Sequence, residues 1–263
     1  MRILVVNDDG IESEGIWQLA AGLRDAGLGA VQIVAPEEEQ SGTSMAVPLH
    51  HKLFLRPVDP PAPAYAGIEA YALNGTPAGC VIAGMLAGLG PRPEVVISGI
   101  NRGINAGTNV MLSGTIGAAM MAALWGIPAM AVSQMFVGET PMPWPTATWA
   151  TLRLLPLLKL LPQGQAIVLN VNVPFLHDPT EVRGFRQTGL SSFFYGDVID
   201  VNLDPSSESD GRRHMKLRFA HERIPSFPLD SDDGAVRAGY VSVTPLAPSS
   251  VARLDLRTAL GDL

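Results

Sequence analysis

Cysteine is nearly missing from this chain of 263 residues: Cys80 stands alone. A single thiol excludes an intramolecular disulfide framework. Its neighbours, Ala78-Gly79-Cys80-Val81-Ile82-Ala83, are apolar, which reads as a buried structural thiol. Basic charge is short as well, with 18 Lys and Arg against 25 Asp and Glu and a formal net charge of −7. Such a chain is not built to hold a nucleic-acid polymer, which calls for a basic surface. A small phosphorylated substrate stays open, because a bound divalent cation reverses the local sign. No repeats and no coiled-coil heptads occur. The first strand is not followed by Gly-x-Gly-x-x-Gly, which sets a dinucleotide-dependent oxidoreductase aside.

Long apolar runs are also lacking. The N-terminal run stops at Asn7-Asp8-Asp9, too short for the apolar stretch of a signal peptide, so a cytoplasmic location is the expectation. From Gly103 to Gly138 there is no charged residue. Asn105, Thr108, Asn109, Ser113 and Thr115 nevertheless make its first third polar, and Gly126-Ile127-Pro128 breaks the remainder. This stretch reads as a buried core helix plus a strand, with no membrane partner.

Against these absences stands a sizeable apolar fraction, 47% of the residues, enough for one large α/β domain. Residues 2–6 form a short apolar run of the kind buried in a parallel sheet. It ends abruptly at Asp8, Asp9 and Gly10. Carboxyl ends of strands are where open α/β sheets bind ligands. Two adjacent carboxylates there repel each other and ask for a cation, a hard one such as Mg²⁺, Mn²⁺ or Ca²⁺. An ordinary Asp-Asp-Gly turn is the plainer alternative.

Strand and helix patterns alternate along the first two thirds. Strands are expected at 2–6, 31–35, 94–98, 129–133 and 166–171. Helices are expected at 15–26, 77–89 (opened by Thr76-Pro77), 113–124 and 149–161. The alternation implies βαβ units and an α/β fold with a mostly parallel sheet flanked by helices. Residues 1–174 are read as this core and 175–245 as a C-terminal β-rich extension rather than more of the core sheet, with 246–263 as a tail. Short β-like runs are expected at 193–198 and 240–243, and a Ser/Asp-rich loop near 204–213.

Several stretches place Ser, Asn, Gly and Thr after strand ends: Asn7-Asp8-Asp9-Gly10, Glu39-Gln40-Ser41-Gly42-Thr43-Ser44, Asn74-Gly75-Thr76-Pro77, Ser98-Gly99-Ile100-Asn101 through Asn105, and Ser113-Gly114-Thr115. Loops after neighbouring strands converge on one sheet edge. Ser113-Gly114-Thr115, at a helix start, offers unpaired N–H groups to an anion. Spacing alone does not choose between Ser41 and Ser44, or between Asn101 and Asn105, as partners of the aspartates. Phe193, Phe194 and Tyr195 offer rings for stacking on a base or for core and interface packing. His50-His51 and Glu37-Glu38-Glu39 read as solvated pairs and faces.

These motifs, in this order and continuing into Leu169-Asn170-Val171-Asn172-Val173-Pro174 and Gly239-Tyr240-Val241-Ser242-Val243-Thr244-Pro245-Leu246, resemble the SurE family of survival-protein nucleotidases. The resemblance implies a Rossmann-like fold and a divalent-metal-dependent phosphomonoesterase acting on nucleoside 5′- and 3′-monophosphates. It implies one Mg²⁺ or Mn²⁺ per subunit on Asp8, Asp9, Ser41 and Asn101, with Asp8 and Asp9 also catalytic. Phosphate would lie against Asn105, Ser113, Gly114 and Thr115, and the family's C-terminal arms imply a homodimer or homotetramer. Short polyphosphate is the rival substrate, and a non-catalytic nucleotide-binding regulator the rival function. The family's aspartyl, tyrosyl and Glu-Gly positions are here Gly79, Leu112 and Met121-Ala122, and Thr108-Asn109 replace an acidic pair. None of these departures touches the four implied ligands.

Overall fold

The computed structural model of the chain describes residues 1–162, 165–207 and 213–247. In chain order the elements are β1 (Arg2–Val6), α1 (Glu14–Asp25), β2 (Ala30–Pro36), β3 (Leu55–Pro57), β4 (Glu69–Leu73), α2 (Pro77–Leu86), β5 (Val95–Arg102) and α3 (Gly114–Leu124). They continue with β6 (Ala129–Gln134), α4 (Trp144–Leu154), β7 (Val168–Val173), β8 (Phe185–Gln187), β9 (Ile199–Ser207), β10 (Arg213–Phe219), α5 (Asp232–Arg237) and β11 (Val241–Leu246).

Nine strands form one sheet in the order β3-β4-β2-β1-β5-β6-β7-β11-β8. The central pairs β4–β2, β2–β1, β1–β5, β5–β6 and β6–β7 are parallel. The chain moves outward from β1 to β2 and β4, then returns to the other side of β1 to lay down β5. Strand order therefore reverses between β1 and β5, the crevice where such sheets bind ligands.

Both faces of the sheet are covered, which explains the unbroken apolar run of β1. Ile3 and Val5 face α1 and α4 with Ile16, Trp17, Leu23 and Ala147. Leu4 and Val6 face α2 and α3 with Val81, Ile116 and Ala119. Cys80 is buried in this second layer, and burial pushes its thiol pKa up. Truncating a fully buried side chain such as Ile97 to alanine is expected to cost about 2–5 kcal/mol.

Four expectations from the sequence are corrected. The helix expected at 149–161 begins at Trp144 and ends at Leu154, because Pro156 lacks the N–H needed to continue it and the chain tightens into a 3₁₀ turn over Leu155–Leu160. Two strands, β3 and β4, extend the sheet where none was expected. The segment 175–245 is not wholly outside the core sheet: β11 pairs antiparallel with β7, and β8 pairs with β11. Residues 193–198 are not a strand, since Tyr195–Val198 is a 3₁₀ turn. Side chains replace strand neighbours there: Thr108 Oγ1 and Asn109 Nδ2 donate to the Phe193 carbonyl at 2.9 and 3.2 Å, and the Tyr195 N–H donates to Asn109 Oδ1 at 2.8 Å.

The rest of the extension is a separate hairpin, β9–β10, with Met215 opposite Leu203, Leu217 opposite Val201 and Phe219 opposite Ile199. Alternation puts these apolar residues on one face. Val201, Leu203, Met215 and Leu217 are each more than half exposed. On the other face Asp200 pairs with Arg218 and Arg223 at 2.7 and 2.6 Å. The expected Ser/Asp-rich loop lies outside the described residues over 208–212, as does the expected tail over 248–263. Among the described residues no helix is long and apolar enough to cross a membrane. The uncharged stretch 103–138 is a 3₁₀ turn, α3 and β6.

Candidate active site

At the end of β1 the chain turns sharply. Asn7 Nδ2 donates to the Gly10 carbonyl at 2.8 Å, and Gly10 takes a φ of +91°, which glycine adopts without a Cβ penalty. The turn buries Asp8 and leaves Asp9 half-buried. The Gln40 N–H donates to the Asp8 carbonyl at 2.7 Å, laying the Ser41 loop against the turn.

The first turn of α3 rests directly on Asp8. A Cβ on Gly114 would lie 2.8 Å from Asp8 Cβ and 3.0 Å from its Oδ2, so only glycine permits this approach. Thr115 Oγ1 donates to Asp8 Oδ1 at 2.5 Å. Asn105 Nδ2 in turn donates to Thr115 Oγ1 at 3.3 Å and to Ser133 Oγ at 2.9 Å. Ser113 caps the helix, its Oγ accepting from the Ile116 N–H at 3.2 Å. The N–H groups of Gly114 and Thr115 belong to the first turn and have no intrahelical acceptor.

Asn101 reaches the same place through an irregularity in β5. Ser98 pairs with Ala131 and Asn101 with Ser133, three steps against two, so the strand bulges. Bulges re-aim side chains beside functional sites. Gly99 permits this one: its φ is +140°, and a Cβ would stand 2.3 Å from the Val132 carbonyl oxygen. Beyond the bulge the Arg102 N–H donates to Asp9 Oδ2 at 3.2 Å.

The electrostatics follow from this crowding. Burial pushes the Asp8 carboxyl above its ordinary pKa, against the opposing bond from Thr115. Burial, then the neighbouring Asp8 charge, push Asp9 up to about 7. The Arg102 N–H and guanidinium offset only part of that rise. Two carboxylates held this way favour a bound cation, which lowers both pKa values.

The donor chemistry fits a hard cation. Asn101 Nδ2 is tied to the Gly103 carbonyl at 2.7 Å, which leaves Oδ1 as the atom that could meet a cation. Ser41 donates its hydroxyl proton to Glu39 Oε1 at 2.7 Å, keeping oxygen lone pairs for a metal. Asn7 Oδ1, buried under the turn, has no hydrogen-bond partner among the described residues. No group of three or more His, Cys, Asp or Glu suited to a metal occurs among the described residues, so a cation here would have to draw on the two carboxylates and neutral oxygens.

Of the residues singled out in the sequence, the structure joins Asp8, Asn105, Gly114 and Thr115 by direct contact. Asp9 and Asn101 flank the β5 bulge, and Ser41 comes in through Gln40. Ser44 instead donates to the Met111 carbonyl at 2.7 Å, and His50 and His51 are exposed. Sequence reasoning passed over Asn170 and Asn172. Asn172 Oδ1 accepts the Asn105 N–H at 2.8 Å, and Asn170 and Asn172 Nδ2 donate to the Asn105 carbonyl at 2.8 and 3.0 Å. Two asparagines inside a fully buried strand were the available signal, because buried polar side chains need partners. Asp232 was also passed over. It is buried at the start of α5 and accepts the Gly107 and Ser191 N–H groups at 2.8 and 2.9 Å, fixing the loop after Asn105.

Known proteins share this chain's sequence and fold. Residues 3–197 match the family model described as survival protein SurE. The chain is 39% identical over 252 residues to the 5′-nucleotidase SurE of Synechococcus sp. (strain JA-3-3Ab), covering 96% of this chain and 93% of the relative. It is 39% identical over 247 residues to the 5′/3′-nucleotidase SurE of Photorhabdus laumondii, covering 94% and 89% of the two chains. The crystal structure of the SurE protein from Aquifex aeolicus superposes with a TM-score of 0.75 at 27% identity, over 100% of this chain and 99% of that one. With residues 3–197 matching the family model and relatives 39% identical over more than nine-tenths of its length, the chain belongs to the survival protein SurE family.

Proposed function

We propose that this protein hydrolyses nucleoside 5′- and 3′-monophosphates to nucleoside and phosphate, using one divalent cation, Mg²⁺ or Mn²⁺, per subunit. The observation that carries the reading is the continuous link Asn105–Thr115–Asp8. It brings an amide, a helix N-terminus and a buried carboxylate together where the strand order reverses. The names of the relatives supply the substrate class.

Asp8, Asp9, Ser41 and Asn101 would hold the cation. When bound, it supplies a Lewis acid for a phosphoryl oxygen and lowers the pKa of a water. The protein's own groups do the rest. The Gly114 N–H group and the helix dipole receive the phosphate, a role suited to an acidic protein because it needs no added basic residue. Ser113 accepts from Ile116 and keeps its hydroxyl proton to donate to a phosphate oxygen. Thr115 is committed to Asp8 through its hydroxyl and its N–H, so it fixes the carboxylate beside the phosphate. Asn105, held in place by Asn170 and Asn172, spends both Nδ2 hydrogens on Thr115 and Ser133 and so orders the wall of the phosphate site. Asp9 keeps Oδ1 for the proton of the attacking water, its Oδ2 being engaged with Arg102. The hairpin β9–β10 supplies the contact of a homodimer or homotetramer through its exposed apolar face.

The test is phosphate release from 5′- and 3′-mononucleotides and tripolyphosphate, with Mn²⁺ or Mg²⁺ and with EDTA. Release from the nucleotides is expected, abolished by EDTA and reduced at least 100-fold by Asp8→Asn or Asp9→Asn. Nucleotide binding without release, by folded protein with either metal, would leave the regulatory function in its place.

A further inference from the structure

A cavity of about 510 Å³ lies beside the loop that carries Asn101 and Asn105. Ile104, Phe136, Tyr195 and Phe219 line it, with Asp233 and Arg237 as its polar groups. None of these side chains belongs to the metal or phosphate sets described above. We propose that this cavity is the nucleobase subsite, with the rings of Phe136 and Tyr195 as its stacking surfaces. The inference rests on the phosphomonoesterase reading for the position of the phosphate, and it names the residues that would select a nucleotide over a simpler phosphoester.

Contiguity is the first support. Gly103 lines the cavity, and a Cβ built there would lie 3.6 Å from Phe136 and 3.9 Å from Asn101 Nδ2. One glycine thus lies between the cavity wall and a candidate metal ligand. A nucleotide whose phosphate lies at α3 would reach this space past Asn101 and Gly103.

The second support is the chemistry of the wall. Tyr195 is held by its N–H on Asn109, by its hydroxyl on the Ile104 carbonyl at 3.3 Å, and by edge contacts to Phe193 and Phe219 at 5.7 and 5.8 Å. A ring fixed this firmly loses little freedom when a base stacks on it. The Arg102 guanidinium covers one face of Phe136 at 4.7 Å, and a base against the other face would extend the stack. Asp233 is buried, bonded by Ser191 Oγ at 2.7 Å, and lies 4.0 Å from Arg237. The pair offers an acceptor and donors to the edge of a base. A second cavity near Asp8, about 430 Å³, is bordered by Glu37, Glu38, His51 and Lys52 and contains no Phe, Tyr or Trp. Base stacking favours the first cavity.

Ribose 5-phosphate and adenosine 5′-monophosphate share sugar and phosphate and differ by the base. The ratio of their KM values, measured on the full chain with Mn²⁺, is therefore the readout. Phe136→Ala is expected to reduce the preference for the nucleotide about tenfold, and Phe136→Tyr to restore it. Phe136 is 40% exposed, so its truncation leaves the core intact. An unchanged ratio overturns the assignment. Calorimetric binding of adenosine separates the two ideas: binding weakened about tenfold by Phe136→Ala, with no phosphate released from either ester by wild type, keeps the subsite and sinks the hydrolase. Adenosine that binds wild type and Phe136→Ala equally, or binds neither, overturns the subsite.

Discussion

Thr115 stands between Asn105 and Asp8, receiving from one and donating to the other. Its hydroxyl hydrogen-bonds the buried Asp8 carboxylate, and hydrogen bonds to charged groups contribute about 1.5–3 kcal/mol. Thr115→Val, which keeps shape and removes the hydroxyl, is expected to lower kcat/KM by about 10–100-fold, while Thr115→Ser stays within a few-fold. Steady-state phosphate release from both variants checks this. Asp9 makes a second prediction at this scale. Its folded pKa of about 7 lies above the ordinary 3.8, so between those values the folded state holds a proton that the unfolded chain has lost. That stabilisation is fully present below the unfolded pKa and is lost as pH rises through 7. Cation-free protein should therefore show a Tm contribution that declines over this range, and Asp9→Asn should flatten it. Added Mn²⁺ should raise Tm more at pH 8 than at pH 5, since protons compete with the metal. Thermal melts in EDTA and in Mn²⁺ would expose the opposite slope at once.

Among the elements, β5 does the most unusual work. Its bulge between Ser98 and Asn101 leads into the Arg102 N–H bond to Asp9, and Gly99 makes the bulge possible. Gly99→Ala combines a left-handed φ with a contact no real Cβ tolerates. It is expected to cost about 2–5 kcal/mol of stability, read from denaturant melts, and to weaken cation binding with it. Elements with strong local signals were legible in the sequence: β1, α1, β2 and α3 fall within one or two residues of expectation. The ones missed lacked such signals. β3 is three residues long among prolines, and β4 alternates a glutamate and a tyrosine with alanines. The 193–198 segment looks like a strand because its aromatic composition suits one, yet Thr108 and Asn109 satisfy its main chain instead. Those two residues, departures from the family pattern, thus tie the loop after Asn105 to Tyr195.

For the whole molecule, the hairpin β9–β10 is the exposed feature that monomeric packing leaves unexplained. If its apolar face joins subunits, Leu217→Asp should convert the wild-type oligomer to a monomer in sedimentation velocity, because a carboxylate cannot be buried there without a partner. A wild type already monomeric at micromolar concentration would remove that role. The sequence by itself determined the α/β class, the two-sided core, the aspartate pair and the set of strand-end loops. Those depend on local periodicity, caps and turn residues, which act over a few residues. Tertiary structure alone decided that β11 returns to the sheet beside β7, that Asn170 and Asn172 grip Asn105, and that Gly103 borders a ring-lined cavity next to Asn101. Those contacts join residues far apart in the chain, and no local pattern encodes which distant partner will satisfy a buried polar group or close a pocket.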